Sequence, residues 1–232
     1  MPLHHEEKHL ESSDFITDVV IGMSDGLTVP FALAAGISSA VSNNHIVTMA
    51  GIAEIIAGSI AMGLGGYLSG KTEQDHYRSE LAREYREVEE VPEKEIAEVE
   101  EVFADYGFSP QSQRMLAEEL AKDKDKWVQF MMRFELGLEE PDPNRARKSA
   151  LTIGTSYVVG GLIPLSPYFF TDTPSLGLKI SSIITLVCLF IFGYFKSKVT
   201  GQPAIAGAFK VMIIGAVAAA AAFGVAKFFE PH

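Results

Sequence analysis

Apolar residues run for about twenty positions at a time in five places along this chain, and charged residues crowd into one stretch between the second and third runs. A helix that crosses ~30 Å of hydrocarbon at ~1.5 Å per residue needs about 20 residues. The runs 18–40, 46–69, 149–170, 176–195 and 204–228 meet that length, so they read as five transmembrane helices. The segments between runs one and two and between three and four are short and lack Lys and Arg. Helical periodicity continues past run two through Tyr77, Leu81 and Tyr85 until Pro92 interrupts it. Three further helices follow. Pro92 suits a first turn, with Ile96, Val99, Phe103 and Tyr106 at helical spacing and Gly107 as a terminator. Ser109 and Pro110 open the next helix, which carries Met115, Leu116 and Leu120, and the last lies around 127–138. The expected fold is all-α: a polytopic membrane protein whose helical insert lies between spans two and three.

Charge sharpens this division. The net charge is −11 and 47% of residues are hydrophobic, figures that alone would suit an acidic soluble protein. Yet residues 71–148 hold 21 of the 30 acidic and 13 of the 19 basic side chains. The chain therefore divides into a polar tail (1–17), spans one and two (18–70), an acidic helical domain (71–148) and spans three to five (149–232). Basic residues favour the cytoplasmic side, and they sit in the insert and at Lys196 and Lys198 after span four. That places the N-terminus and insert in the cytoplasm and the C-terminus on the far side. The acidic tail lacks the features of a cleaved secretory signal. A single cysteine, Cys188, excludes a disulfide framework and a cysteine zinc cluster. The acidic balance also argues against a nucleic-acid partner.

Within the spans, ionisable groups need a reason to be there. A carboxylate at the centre of a membrane helix costs ~2.5–3.5 kcal/mol on insertion scales and usually marks an ion or proton path, a polar lock between helices being the alternative. Asp25 and Glu54 are such groups. Around a turn centred near Asn43, Asp25 lies 18 residues before and Met62 19 after, so an antiparallel hairpin sets them at nearly one depth. A carboxylate beside a thioether suits a borderline metal such as Fe²⁺ better than Mg²⁺ or Ca²⁺, although a lone Met is more often packing. Glu54, Gly58 and Met62 share a stripe of span two. Pro30 withholds a proton from the carbonyl of Gly26 beside Asp25, in a pathway or in an ordinary kink. One carboxylate and one thioether leave a coordination shell unfilled. The Gly22-x-x-x-Gly26 pair lets helices approach closely, so a homodimer with span one at its seam is expected.

The insert offers a second acidic constellation. Glu80, Glu84 and Glu87 share one helical face, and Glu95 and Glu98 share another; a bound cation or plain solvation would both relieve their repulsion. Met131, Met132 and Glu135 span one helical turn, where the methionines bind metal or pack helices. His4, His5 and His9 form a weak metal motif in the tail. Glu73-x-x-His76 suggests a second reading, a membrane-anchored di-iron ferroxidase, but such sites use two E-x-x-H motifs. A third reading is an uncoupled metal channel. The motifs of a nucleotide-driven pump are missing.

Ser24-Asp25-Gly26-Leu27, the run Glu54-Ile-Ile-Ala-Gly-Ser-Ile-Ala-Met62 and Gly66-Tyr67-Leu68-Ser69, with five spans and an insert after the second, resemble the plant members of the vacuolar iron transporter family. That resemblance implies a non-enzymatic, homodimeric antiporter of the vacuolar membrane. It would move cytosolic Fe²⁺, and other divalent metals such as Mn²⁺, into the vacuole in exchange for protons, with no resident cofactor. It further implies that Asp25, Glu54 and Met62 line the path. Glu84, Glu87, Glu95, Glu98, Met131, Met132 and Glu135 would collect metal in the cytoplasm. Many relatives outside the plant group have Glu where Gly66 stands, so their selectivity does not transfer.

Overall fold

The computed structural model describes residues 9–228, and among them every regular element is helical. Helix α1 is His9–Ala40, α2 Asn44–Glu90, α3 Pro92–Asp105, α4 Pro110–Leu120, α5 Lys124–Phe130, α6 Arg145–Leu165, α7 Pro174–Val199 and α8 Ala204–Phe228. Five of these, α1, α2, α6, α7 and α8, are long and apolar enough to cross a membrane. Helix α1 begins at His9, so helix already occupies part of the segment read as a polar tail. His4 and His5, and the side chain of His9, lie outside the described residues. The chain forms two compact units, residues 1–67 with 147–232 and residues 68–146.

In the first unit, small residues bring backbones together. A Cβ on Gly22 would strike Ile153 and Ser156, and one on Gly26 would strike Tyr157, while Gly160 faces the Leu27 amide nitrogen at 3.0 Å from its own would-be Cβ. The Gly22-x-x-x-Gly26 pair is therefore consumed by α6 of the same chain. The motif signals close approach, and the helix that meets it among the described residues is α6. Along α7, the residues Gly177, Ser181, Thr185, Leu189, Gly193 and Ser197 recur every four positions and are all buried. Leu189 meets Gly215 of α8, and Gly193 meets Ala208. Ser181 donates to the Pro164 carbonyl at 2.7 Å. Outward, Ile52, Ile56, Ile60 and Leu64 of α2 and Ile205, Phe209, Ile213 and Val217 of α8 are exposed. Such contiguous apolar faces suit hydrocarbon rather than water.

The second unit is built as a small soluble core. Val99, Ala117, Val128, Met131 and Met132 are almost wholly buried, and Trp127 packs among them. Pro92 occupies the first turn of α3, and Gly107, at φ +83°, adopts the left-handed conformation that ends it. The Ser109 hydroxyl caps α4 by accepting from the Ser112 amide, and Asp123 caps α5 through Lys126. The helix expected around 127–138 departs from α geometry: α5 stops at Phe130 and a π turn covers Met131–Glu135. There the Leu136 amide donates to the Met131 carbonyl at 3.1 Å. The chain's return is tied down by Gln74, whose amide donates to the carbonyls of Asp142 and Pro143 at 3.0 and 3.1 Å.

Candidate functional site

Tyr157 organises the acidic site of the first unit. It sits on α6 where Gly26 of α1 touches its backbone, while its ring lies against Gly58 of α2. Its hydroxyl bonds the Oε1 of Glu54. Asp25 is the residue before Gly26, whose backbone packs on that of Tyr157. Three helices thus bring the two expected carboxylates to one aromatic residue. Glycine at 58 is required for this, because a Cβ there would collide with the ring. Asp25, Glu54 and Met62 are all partly buried. Met62 lies one turn beyond Gly58 on α2, beside Gly63, which packs on Ala150. The equal depth of Met62 and Asp25 remains an inference from the hairpin count, whereas Glu54 and Asp25 gain a common neighbour.

The hydrogen bonding of Glu54 is lopsided. Its Oε1 has the phenol, but its Oε2 is buried and has no partner among the described residues. Another buried carboxylate of this unit, Asp18, accepts from the Ser149 hydroxyl at 3.1 Å.

The second unit gathers the acidic side chains of its helices more tightly. One carboxylate oxygen from each of Glu84, Glu87 and Glu95 lies within 4.8 Å of the others. Oxygen ligands at ~2.0–2.6 Å around one hard or borderline cation have mutual separations of this size. Glu84 is 1% exposed and Glu95 0%, and Glu84 Oε2 and both Glu95 oxygens lack hydrogen-bond partners among the described residues. Burial, then the charges of Glu98 and Glu84, push the Glu95 carboxyl up to about 7, with Lys94 opposing. Glu98 pairs with Lys94 at 2.7 Å. The exposed Glu135 is within electrostatic reach of Glu98 and Glu84. Met131 and Met132, by contrast, are packed in the apolar core, where they fill space whatever else they do.

Three residues that the sequence reading did not single out shape these sites. Tyr157 is one; a phenol within an apolar span was the available signal. The others are cations. Arg83 lies 2.8 Å from Glu80 and 3.4 Å from both Glu84 and Glu87, and Lys94 stands 3.7 Å from Glu95. Their i,i+4 spacing to Glu87 and Glu98 could have flagged both. His76 of the E-x-x-H motif faces Glu80 at 3.9 Å.

Five membrane-length helices with carboxylates held between them, and a separate unit lined with further carboxylates, define a polytopic α-helical membrane protein with acidic sites in both of its units. More specifically, the chain belongs to the VIT family, whose family model matches residues 16–227. It is similar to vacuolar iron transporter 1 of Arabidopsis thaliana, at 52% identity over 97% of this chain and 90% of that protein. Vacuolar iron transporter 1 of Oryza sativa subsp. japonica is 50% identical over 97% of this chain and 89% of its own length. Protein CCC1 of Saccharomyces cerevisiae is 41% identical over 90% and 67%, respectively.

Proposed function

We propose that this protein carries Fe²⁺ across the vacuolar membrane into the vacuole in exchange for protons, and accepts Mn²⁺ as a further cargo. The observation that carries this reading is the meeting of Asp25, Glu54 and Tyr157 at the crossing of three membrane-length helices, in a chain whose relatives are named vacuolar iron transporters. In the proposed mechanism Asp25 and Met62 supply oxygen and sulfur ligands to the passing ion. Glu84, Glu87, Glu95, Glu98 and Glu135, with Met131 and Met132, form the cytoplasmic collecting surface. Metal binds carboxylates only when they are ionised, so an acidic lumen favours release there. The insert and N-terminus face the cytoplasm and the C-terminus the lumen, following the basic residues of the insert and of the last turn of α7.

A homodimer completes the scheme because a single Asp25 and Met62 leave coordination positions open. Its seam uses surface other than the Gly22 and Gly26 face, which α6 covers. The test is transport by purified protein in sealed vesicles, with an iron reporter and a pH reporter inside. The expected result is Fe²⁺ entry accompanied by proton exit and driven by an acidic interior. Fe²⁺ entry without proton movement would reduce the protein to a channel, and stoichiometric oxygen consumption on adding Fe²⁺ would favour the ferroxidase reading.

A further inference from the structure

Asp25 and Glu54 are built differently, and from this we infer that Glu54 is the proton carrier of the exchange while Asp25 is the metal ligand. The inference rests on the proposed antiport and divides its two cargoes between two side chains.

An ionised carboxylate offers about four acceptor sites. Glu54 has one of its own filled, by the Tyr157 hydroxyl on Oε1. Oε2 is buried without a partner among the described residues. Helix α6 closes on this stretch of α2: its Leu165 meets Gly51, its Gly161 receives Ile55, and its Tyr157 ring meets Gly58. The titratable groups near Glu54 are Tyr157 of α6, which it bonds, and Asp25 of α1, the residue before Gly26, which packs on Tyr157. On α2 itself the nearest are His45 and Tyr67, on either side. None of these supplies Glu54 with a cation, and among the described residues its hydrogen-bond partner is the neutral phenol of Tyr157.

A buried charge without a counter-ion is costly and is removed most simply by a proton. A proton placed on Oε2 leaves a neutral carboxylic acid that still accepts from Tyr157 through Oε1. Loss of that proton leaves a carboxylate held by one phenol, so each cycle of Glu54 takes up one proton and gives up one. A metal ligand needs the opposite setting: ionised, with oxygens open to a substrate. Asp25, partly buried like Glu54, fits that description in receiving no hydrogen bond among the described residues. Gly58 lets the phenol reach α2 while the Tyr157 backbone packs on Gly26 of α1, so one residue touches the helices of both carboxylates without bonding Asp25.

The experiment uses the full-length protein in vesicles with iron and pH reporters, comparing wild type, Glu54→Gln, Asp25→Asn and Tyr157→Phe. Glu54→Gln keeps an acceptor for Tyr157 but cannot ionise. It is expected to lower the number of protons leaving per Fe²⁺ that enters by at least about tenfold, a change of about 1.4 kcal/mol or more in coupling. Asp25→Asn is expected to lose Fe²⁺ flux itself. Tyr157→Phe removes the donor that favours ionised Glu54, so the pH of half-maximal exchange should rise. Proton exit from Glu54→Gln in wild-type ratio to Fe²⁺ would overturn the assignment. If Glu54→Gln fails to fold or carries no Fe²⁺, an unchanged pH midpoint in Tyr157→Phe overturns it. Wild-type Fe²⁺ flux with no proton movement would overturn the antiport reading along with it. Normal coupling in both wild type and Glu54→Gln would overturn this assignment alone.

Discussion

The two units of this chain hold carboxylates by different means. In the unit of residues 68–146, acidic side chains are numerous and cations stand among them: Arg83 reaches Glu80, Glu84 and Glu87, and Lys94 reaches Glu95 and Glu98. In the membrane unit, Glu54 has a neutral phenol for company. The difference teaches how each environment manages negative charge. Near water, mobile cationic side chains balance a cluster and can be displaced by an arriving divalent ion. Among apolar helices, charge is kept rare and is balanced by hydrogen bonds or by protonation.

The largest expected effect breaks the membrane side of this comparison. Asp25→Ala should lower Fe²⁺ flux in vesicles by at least about tenfold, to background, while the protein still inserts and purifies. Normal flux would remove Asp25 from the pathway.

Next comes the pH response of the insert. The carboxyl of Glu95 is raised to about 7, so the folded protein binds a proton there that the unfolded chain releases above about 4.5. Stability from this group is therefore fully present at acidic pH and is lost as pH rises through 7, by up to about 3 kcal/mol for a buried group. Trp127 is the single tryptophan and lies in this unit's core, so its fluorescence on heating should give a lower midpoint for the metal-free protein at pH 8 than at pH 5.5. Added divalent metal should restore the midpoint at pH 8, and Glu95→Gln should flatten the pH dependence. A midpoint that rises with pH in metal-free protein contradicts the buried, shifted carboxyl.

A third expectation concerns the glycine seam. Gly26→Leu forces a side chain into Tyr157 and should cost about 1–3 kcal/mol of stability, as overpacking does. The loss should appear in the monomer, read by thermal unfolding alongside size measurement. Dissociation of a dimer with an unchanged monomer would instead return the motif to the subunit interface. The smallest effect is on the insert's own cations: Arg83→Gln removes a competitor from Glu84 and Glu87 and should tighten metal binding by about two- to fivefold in calorimetry. Weaker binding would mean that Arg83 organises the cluster rather than competing for it.

Much of the fold was legible because membrane spans and short amphipathic helices announce themselves by length, period and caps. Span five coincides with α8 from Ala204 to Phe228, and Pro92, Gly107 and Ser109 perform the terminal roles their chemistry suggests. Contacts between distant segments were less legible. Nothing in the sequence around Glu54 points to Tyr157, because their pairing depends on how α2 and α6 cross. The Gly22 and Gly26 spacing specifies a close neighbour but not which one. The π turn at Met131–Glu135 was hidden too, since its side chains also suit an α-helix and only the backbone bonding separates them. In the insert, the clustering of Glu84 and Glu87 was readable from one helix, while the arrival of Glu95 required the turn at Val91 and Pro92.

The crossing of α1 and α6 has a mechanical meaning. Where Gly22 and Gly26 meet Ile153 and Tyr157, and Gly160 meets the Leu27 amide, backbone lies on backbone with no layer of side chains to act as a bearing. Sliding α1 by one residue would push Met23 or Leu27 into the place of a glycine. These two helices therefore move as one strut. Whatever motion opens the protein to one side of the membrane and then the other must carry Asp25 and Tyr157 together, as fixed cargo of the same rigid piece.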